Sequence, residues 1–164
     1  MGELEYNARL SSAISLAVTA HHGQFDKGGA PYILHPLRLM LLFDKEAEQI
    51  AAILHDVVED GGIPLSTISR MFGNEVADAV DALTRRKGES YQAFIERCCL
   101  NQLARKVKRA DLADNMNTGR LPRPLTQADH ERIEKYRAAM TLINMAIMDD
   151  AFPTPPLPTR ERTA

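Results

Sequence analysis

Apolar residues along this chain recur at intervals of three and four, and no stretch alternates with the period of two that a half-buried strand needs. Residues 3–22 place Leu4, Leu10, Ile14, Ala17, Val18 and His21 near one face, which predicts an amphipathic helix stopped by Gly23. Gln24 to Ala30 reads as a Gly-rich loop, and Pro31 as a first-turn residue for a helix from Tyr32 to Phe43. That helix is apolar nearly all round, as a buried one is, with His35 and Arg38 as its polar members. Asp44 is placed to cap the next helix, 45–60, which Gly61-Gly62 ends. Two short helices, 64–72 and 74–84, meet at Gly73, and a basic loop, 85–90, leads to a helix over 91–100. Asn101 is placed to cap a helix reaching about Thr118. After Pro122 and Pro124, a last helix spans 127–149 with Ile133, Tyr136, Met140, Ile143 and Ile147 facing inward. The expected fold class is all-α, a bundle of about seven or eight helices.

Length and charge narrow the possibilities. The 164 residues fit one domain over 1–150, followed by a tail, 151–164, whose Pro-rich composition predicts disorder. A net charge of −2 argues against a general nucleic-acid binder, while local basic clusters remain able to hold a small anionic ligand. Leu65 to Leu83 has the outline of a helix-turn-helix, but its second helix carries Glu75, Asp78 and Asp81 where a DNA-reading face would be basic. The two cysteines, Cys98 and Cys99, are adjacent and fit neither a disulfide framework nor a zinc pair, which predicts a reducing, cytoplasmic setting. No signal peptide or membrane span is read in the sequence, so a membrane role is not expected.

The stretch Ile53–Asp60 carries the densest chemistry. His55, Asp56, Glu59 and Asp60 stand at i, i+1, i+4 and i+5, so a continued helix would gather them within about 140° of arc. Such a cluster is costly to bury unless a cation neutralises it. A metal site needs ligands from several elements, and His35, isolated in an apolar helix, is a candidate, as is Asp111. On a helix Asp111, Asn115 and Thr118 share a face at i, i+4 and i+7.

Together His35-Pro36, His55-Asp56-Val57-Val58-Glu59-Asp60 and Lys108-Arg109-Ala110-Asp111 with Asn115 and Thr118 resemble HD-domain hydrolases of the RelA/SpoT type. More narrowly, they resemble the small stand-alone alarmone hydrolases related to Mesh1. The likeness extends through Ala20-His21-His22-Gly23-Gln24, Pro31-Tyr32-Ile33, Phe72-Gly73-Asn74-Glu75-Val76 and Val80-Asp81-Ala82-Leu83-Thr84, roughly residues 13–121. It implies an HD-domain helical bundle in which His35, His55, Asp56 and Asp111 bind one divalent metal, usually Mn²⁺, with other divalent ions compatible. It further implies that Glu59 and Asp60 act on the attacking water and that Asn115 and Thr118 touch a nucleotide. The implied reaction removes the 3′-pyrophosphate from (p)ppGpp or a related nucleotide such as (p)ppApp. The alternatives are an HD phosphohydrolase for NADPH or another phosphorylated nucleotide, and a metal-dependent sensor without turnover. Among the cations, Lys27, Arg85, Arg86, Lys87, Arg105, Lys108 and Arg109 are candidates for binding phosphate, with Lys27 favoured by its place in the loop before His35. Three positions depart from the family: Asp26 stands where an Arg often packs on guanine, and Asp114 and Asn117 stand where His and Arg are frequent. Those departures predict altered base recognition, with Asp26 and Lys27 at the substrate. Oligomeric state is not legible in the sequence.

Overall fold

The structure, a computed structural model, describes residues 3–151. Among the described residues eight α-helices form: α1 (Glu3–Ala20), α2 (Leu34–Met40), α3 (Glu46–Leu54), α4 (Leu65–Phe72), α5 (Asn74–Leu83), α6 (Tyr91–Leu100), α7 (Gln102–Met116) and α8 (Gln127–Ala151). A short 3₁₀ turn, Thr118–Arg120, follows α7. The expected all-α architecture is therefore what forms; a lone bridge, Phe25 to Pro31, closes the loop between α1 and α2. The Pro-rich tail, from 152 onward, lies outside the described residues.

α3 is the axial helix, with Ile50 through Leu54 fully buried against α1, α2, α5 and α7. Two apolar cores result. The larger joins α1 to α5 with the first half of α7, and the smaller joins α6, the second half of α7 and α8 through Phe94, Ile95, Leu112, Ala139 and Ile143. α7 thus runs through both cores and carries Asp111 to their junction. α1 is tied to the bundle by polar contacts as well: Arg9 donates to the Phe72 carbonyl at 2.9 Å and pairs with Glu46 at 3.4 Å, and Tyr6 donates to Gln49.

Several local expectations need correction. The helix expected over 45–60 stops at Leu54, and residues 55–61 are a series of turns. Neighbouring residues on a helix point about 100° apart, whereas here His55 Nε2 and Asp56 Oδ2 converge to 2.8 Å. Asp44 does not cap α3; Lys45, in extended conformation, holds the cap position without a side-chain bond, and Glu46 and Glu48 complement the helix dipole instead. Pro31 lies in the bridge rather than in α2, and Leu41 and Leu42, placed inside a buried helix by the sequence, follow its end and are 75% and 65% exposed. Val18 also faces outward, while Ala17 and His21 are buried as expected; the Leu4 side chain lies outside the described residues. α7 ends at Met116, so Thr118 belongs to the 3₁₀ turn and not to a continuous helical stripe. Asn101 caps α7 as its spacing predicts, accepting from Ala104 N. On α8, Ile133 and Ile143 are buried, with Tyr136, Met140 and Ile147 packed partly buried beside them.

Candidate metal centre and adjoining clefts

Four elements deliver the polar cluster. His35 comes from the first turn of α2, His55 from the residue after α3, Asp56 from the following turn and Asp111 from the third turn of α7. His35, His55 and Asp111 are buried, and one ligand atom of each lies within 4.8 Å of the others. The imidazole rings of His35 and His55 meet edge to face at 5.1 Å.

Hydrogen bonds on the outer side of the rings fix which nitrogen faces inward. His55 Nδ1 lies 2.8 Å from the Ala52 carbonyl, which only accepts, so Nδ1 carries the proton. Its Nε2 is buried with no aligned hydrogen-bond partner, 2.8 Å from Asp56 Oδ2 and 3.9 Å from Asp111 Oδ1. His35 repeats the arrangement, with Nδ1 2.7 Å from Asp114 Oδ2 and Nε2 3.1 Å from Asp111 Oδ1. Lone pairs of two imidazoles therefore face carboxylate oxygens at close range. That is repulsive unless a proton or a metal ion lies between them, and the donor set fits a divalent ion. Burial opposes a charge on His55, yet the Asp56 carboxylate and then Asp111 raise its proton affinity above the ordinary imidazole value. The same field favours a metal ion in place of the proton.

The carboxylates are held from outside. Tyr32 donates its hydroxyl to Asp56 Oδ2 and Asn115 its amide to Asp111 Oδ1. Lys108 reaches Asp111 Oδ2 at 2.8 Å with its ammonium over the Phe94 ring. Burial would push the Asp111 carboxyl up, but Lys108 and the two histidines hold it well below the usual carboxylate range.

Two clefts open from this centre and share Tyr32, Asn115 and Tyr136. The first, about 290 Å³, is lined by the acids Asp56, Glu59, Asp60 and Asp111 and by Arg85, Lys108 and Lys135. Glu59 Oε2 accepts from Arg85 N at 2.8 Å. Asp60 is anchored at its backbone carbonyl by Gln24 Nε2, at 3.0 Å, and its carboxyl is pushed upward by partial burial and then by Asp56 and Glu59. The second cleft, about 280 Å³, lies between the 25–28 loop and the 3₁₀ turn, with Asp26, Lys27, Thr118, Arg120 and Arg132 in its wall. Asp26 Oδ1 accepts from Gly28 N and Ala30 N at 2.8 and 2.9 Å, so much of its bonding capacity closes its own loop. Burial and then the neighbouring Arg132 lower the pKa of Lys27.

Of the cations named from the sequence, Lys27, Arg85 and Lys108 line the clefts. Arg86 pairs with Asp81, Arg105 bonds the Cys99 carbonyl, and Arg109 bonds Asn144. Sequence reasoning missed Tyr32, Arg120, Arg132, Lys135 and Tyr136. On α8, Arg132, Lys135 and Tyr136 stand at i, i+3 and i+4, a shared face that could have been found once its apolar side was assigned inward. Asp114, expected to alter base recognition, instead turns toward His35, Arg38 and Arg120.

Comparison with known proteins bears on the family and the fold. The family model described as HD domain matches residues 13–151. A GTP pyrophosphokinase of Streptomyces coelicolor is 32% identical over 164 aligned positions, 88% of this chain and 19% of that protein. The bifunctional (p)ppGpp synthase/hydrolase SpoT of Escherichia coli (strain K12) is 29% identical over 125 positions, 67% of this chain and 18% of that protein. The chain thus spans under a fifth of the length of either relative. A solved structure of a metazoan ortholog of SpoT, described as hydrolysing ppGpp, shares the fold with a TM-score of 0.65 at 22% identity, covering 87% of this chain and 96% of that one.

Proposed function

The chain belongs to the HD-domain family, and from that premise we propose that it is a metal-dependent alarmone hydrolase, removing the 3′-pyrophosphate of (p)ppGpp or a related nucleotide such as (p)ppApp. The observation that carries the reading is the inward convergence of His35 Nε2, His55 Nε2 and the Asp56 and Asp111 carboxylates beside clefts walled by cations. Those four residues would hold the ion, for which Mn²⁺ suits the mixed imidazole and carboxylate donors. A bound divalent ion supplies a lowered water pKa and neutralises charge on the phosphoryl oxygens.

The remaining work falls to the chain's own side chains. Glu59 and Asp60 serve the attacking water. Glu59 is fixed by the Arg85 amide and Asp60 by the bond from Gln24 to its backbone carbonyl, so the pair takes the proton and orients the water between them. Lys108, Lys135 and Arg85 neutralise the reacting phosphates, and Lys27, Arg120 and Arg132 face the more distant ones. Asn115 and Thr118, with Asp26 in the loop opposite, line the path of the nucleoside. Water adds to the phosphorus of the 3′ group, the ester oxygen leaves protonated, and ppGpp yields GDP and pyrophosphate.

The test is an incubation of Mn²⁺-loaded protein with ppGpp, ppApp and NADPH, followed by mass-spectrometric identification of products. Pyrophosphate from the tetraphosphates is expected. Phosphate released from NADPH alone would overturn this reading in favour of a phosphohydrolase for another nucleotide.

A further inference from the structure

α2 and α7 face one another with two matched pairs. His35 and Arg38 stand at i and i+3 on α2, and Asp111 and Asp114 at i and i+3 on α7. His35 touches both acids: Nε2 lies 3.1 Å from Asp111 Oδ1, on the metal side, and Nδ1 lies 2.7 Å from Asp114 Oδ2, on the outer side. Arg38 grips Asp114 in a fork, Nε to Oδ1 and Nη2 to Oδ2, both at 2.9 Å. Arg120 closes it from the 3₁₀ turn, with both Nη atoms 3.0 Å from the carboxylate and a 2.8 Å bond from Nη2 to the Asp114 carbonyl. The carboxylate therefore cannot swing, and the ring it addresses is that of His35.

We infer that Asp114 is a positioning residue that fixes the Nδ1–H tautomer and the orientation of His35, so that Nε2 presents its lone pair to the metal. Resting on the metal-site reading, this gives Asp114 a part that Asp56 and Asp111 do not have: it acts through His35 and does not touch the ion. A carboxylate behind a ligating imidazole makes the ring a better donor, and its loss typically costs about 10–100-fold in metal affinity. Arg38 and Arg120 together place four guanidinium hydrogen bonds on the carboxylate, which holds it as a charged acceptor behind the ring.

The experiment is Mn²⁺ titration calorimetry on chelator-stripped wild type, Asp114→Asn and Arg38→Gln, with circular dichroism and thermal unfolding in chelator recorded for each. Asp114→Asn should bind Mn²⁺ about 10–100-fold more weakly while keeping its helical spectrum. Arg38→Gln, which leaves the Arg120 clamp in place, should lose several-fold less. Wild-type Mn²⁺ affinity in Asp114→Asn, or an equal loss in Arg38→Gln, overturns the inference, the second because the effect would then belong to the ion pairs that hold the helices together. Failure of the wild type to bind any divalent ion would instead overturn the metal reading itself. Should Asp114→Asn not fold, nitrogen-15 spectra of the Zn²⁺-loaded wild type decide: His35 should carry its proton on Nδ1, and ligation through Nδ1 overturns the inference.

Discussion

Two buried aspartates, Asp111 and Asp129, differ in exposure by little, 4% against 1%, and both are held far below the usual carboxylate range. Their surroundings are opposite in kind. Asp129, in the first turn of α8, has every partner supplied by protein donors: Arg123 at 2.6 Å, Arg132 at 2.8 Å, and the amide and hydroxyl of Thr126 at 2.9 and 2.8 Å. It returns the favour by donating its own amide to Thr126 Oγ1 at 3.3 Å, a reciprocal cap. Asp111 has Lys108 and Asn115 as donors, but its Oδ1 also faces two imidazole nitrogens whose protons lie on the other side of the ring. Burial and a depressed pKa do not separate structure from function here. What separates them is the convergence of two imidazole nitrogens and a second carboxylate, that of Asp56, beside Asp111.

The contrast breaks if the two carboxylates respond alike. Asp111→Asn should abolish measurable Mn²⁺ binding and turnover, a larger loss than the roughly 10–100-fold that outer partners cost; turnover retained in excess chelator would remove the ion from the site altogether. Glu59→Gln with Asp60→Asn should keep the ion, as measured by calorimetry, and lose about 10²–10⁴-fold in kcat. If that double variant loses the metal, both carboxylates belong with Asp111 as ligands. Asp129→Asn should leave Mn²⁺ affinity and kcat near wild type and melt at a lower temperature at pH 7. Because its folded pKa is depressed, first by Arg123, its contribution is full above the unfolded carboxylate value of about 4 and shrinks as pH falls below it. The difference in Tm between Asp129→Asn and wild type should therefore narrow from about pH 4 downward, and a constant gap would mean that charge is not what Asp129 contributes. The smallest effect belongs to Asp26. Asp26→Ala removes two bonds within the loop and should raise KM by a factor of roughly 2–10, equivalent to about 0.5–1.5 kcal/mol, while Asp26→Asn, which keeps an acceptor, should change it less.

The His55–Asp60 motif and the distant His35 and Asp111 were legible because their residue types are expensive to bury and recur in a known order. The inward face of α8 was legible too, since Ile133 and Ile143 keep helical spacing. The end of α3 was not. Val57 and Val58 continue the apolar period past Leu54, and nothing local announces that the helix gives way to turns there. Likewise Asp114 reads as an altered nucleotide contact in the sequence, because its partners, 76 and 79 positions away in Arg38 and His35, are chosen by how α2 packs on α7. Arg132 and Lys135 were hidden for the same reason: a helix shows its own faces in its sequence, but not which neighbour each face meets.

The anchoring of α1 bears on where the chain can be shortened. The family model begins at residue 13, in the middle of that helix. A protein expressed from that boundary would lack Tyr6 and Arg9, and with them the tethers to Gln49 and Glu46 on α3 and to the Phe72 carbonyl that ends α4. α3 is a nine-residue rod whose far end is followed directly by His55. A start that drifts at Glu46 is delivered, one rod length later, as a misplaced imidazole, so trimmed versions should begin ahead of α1.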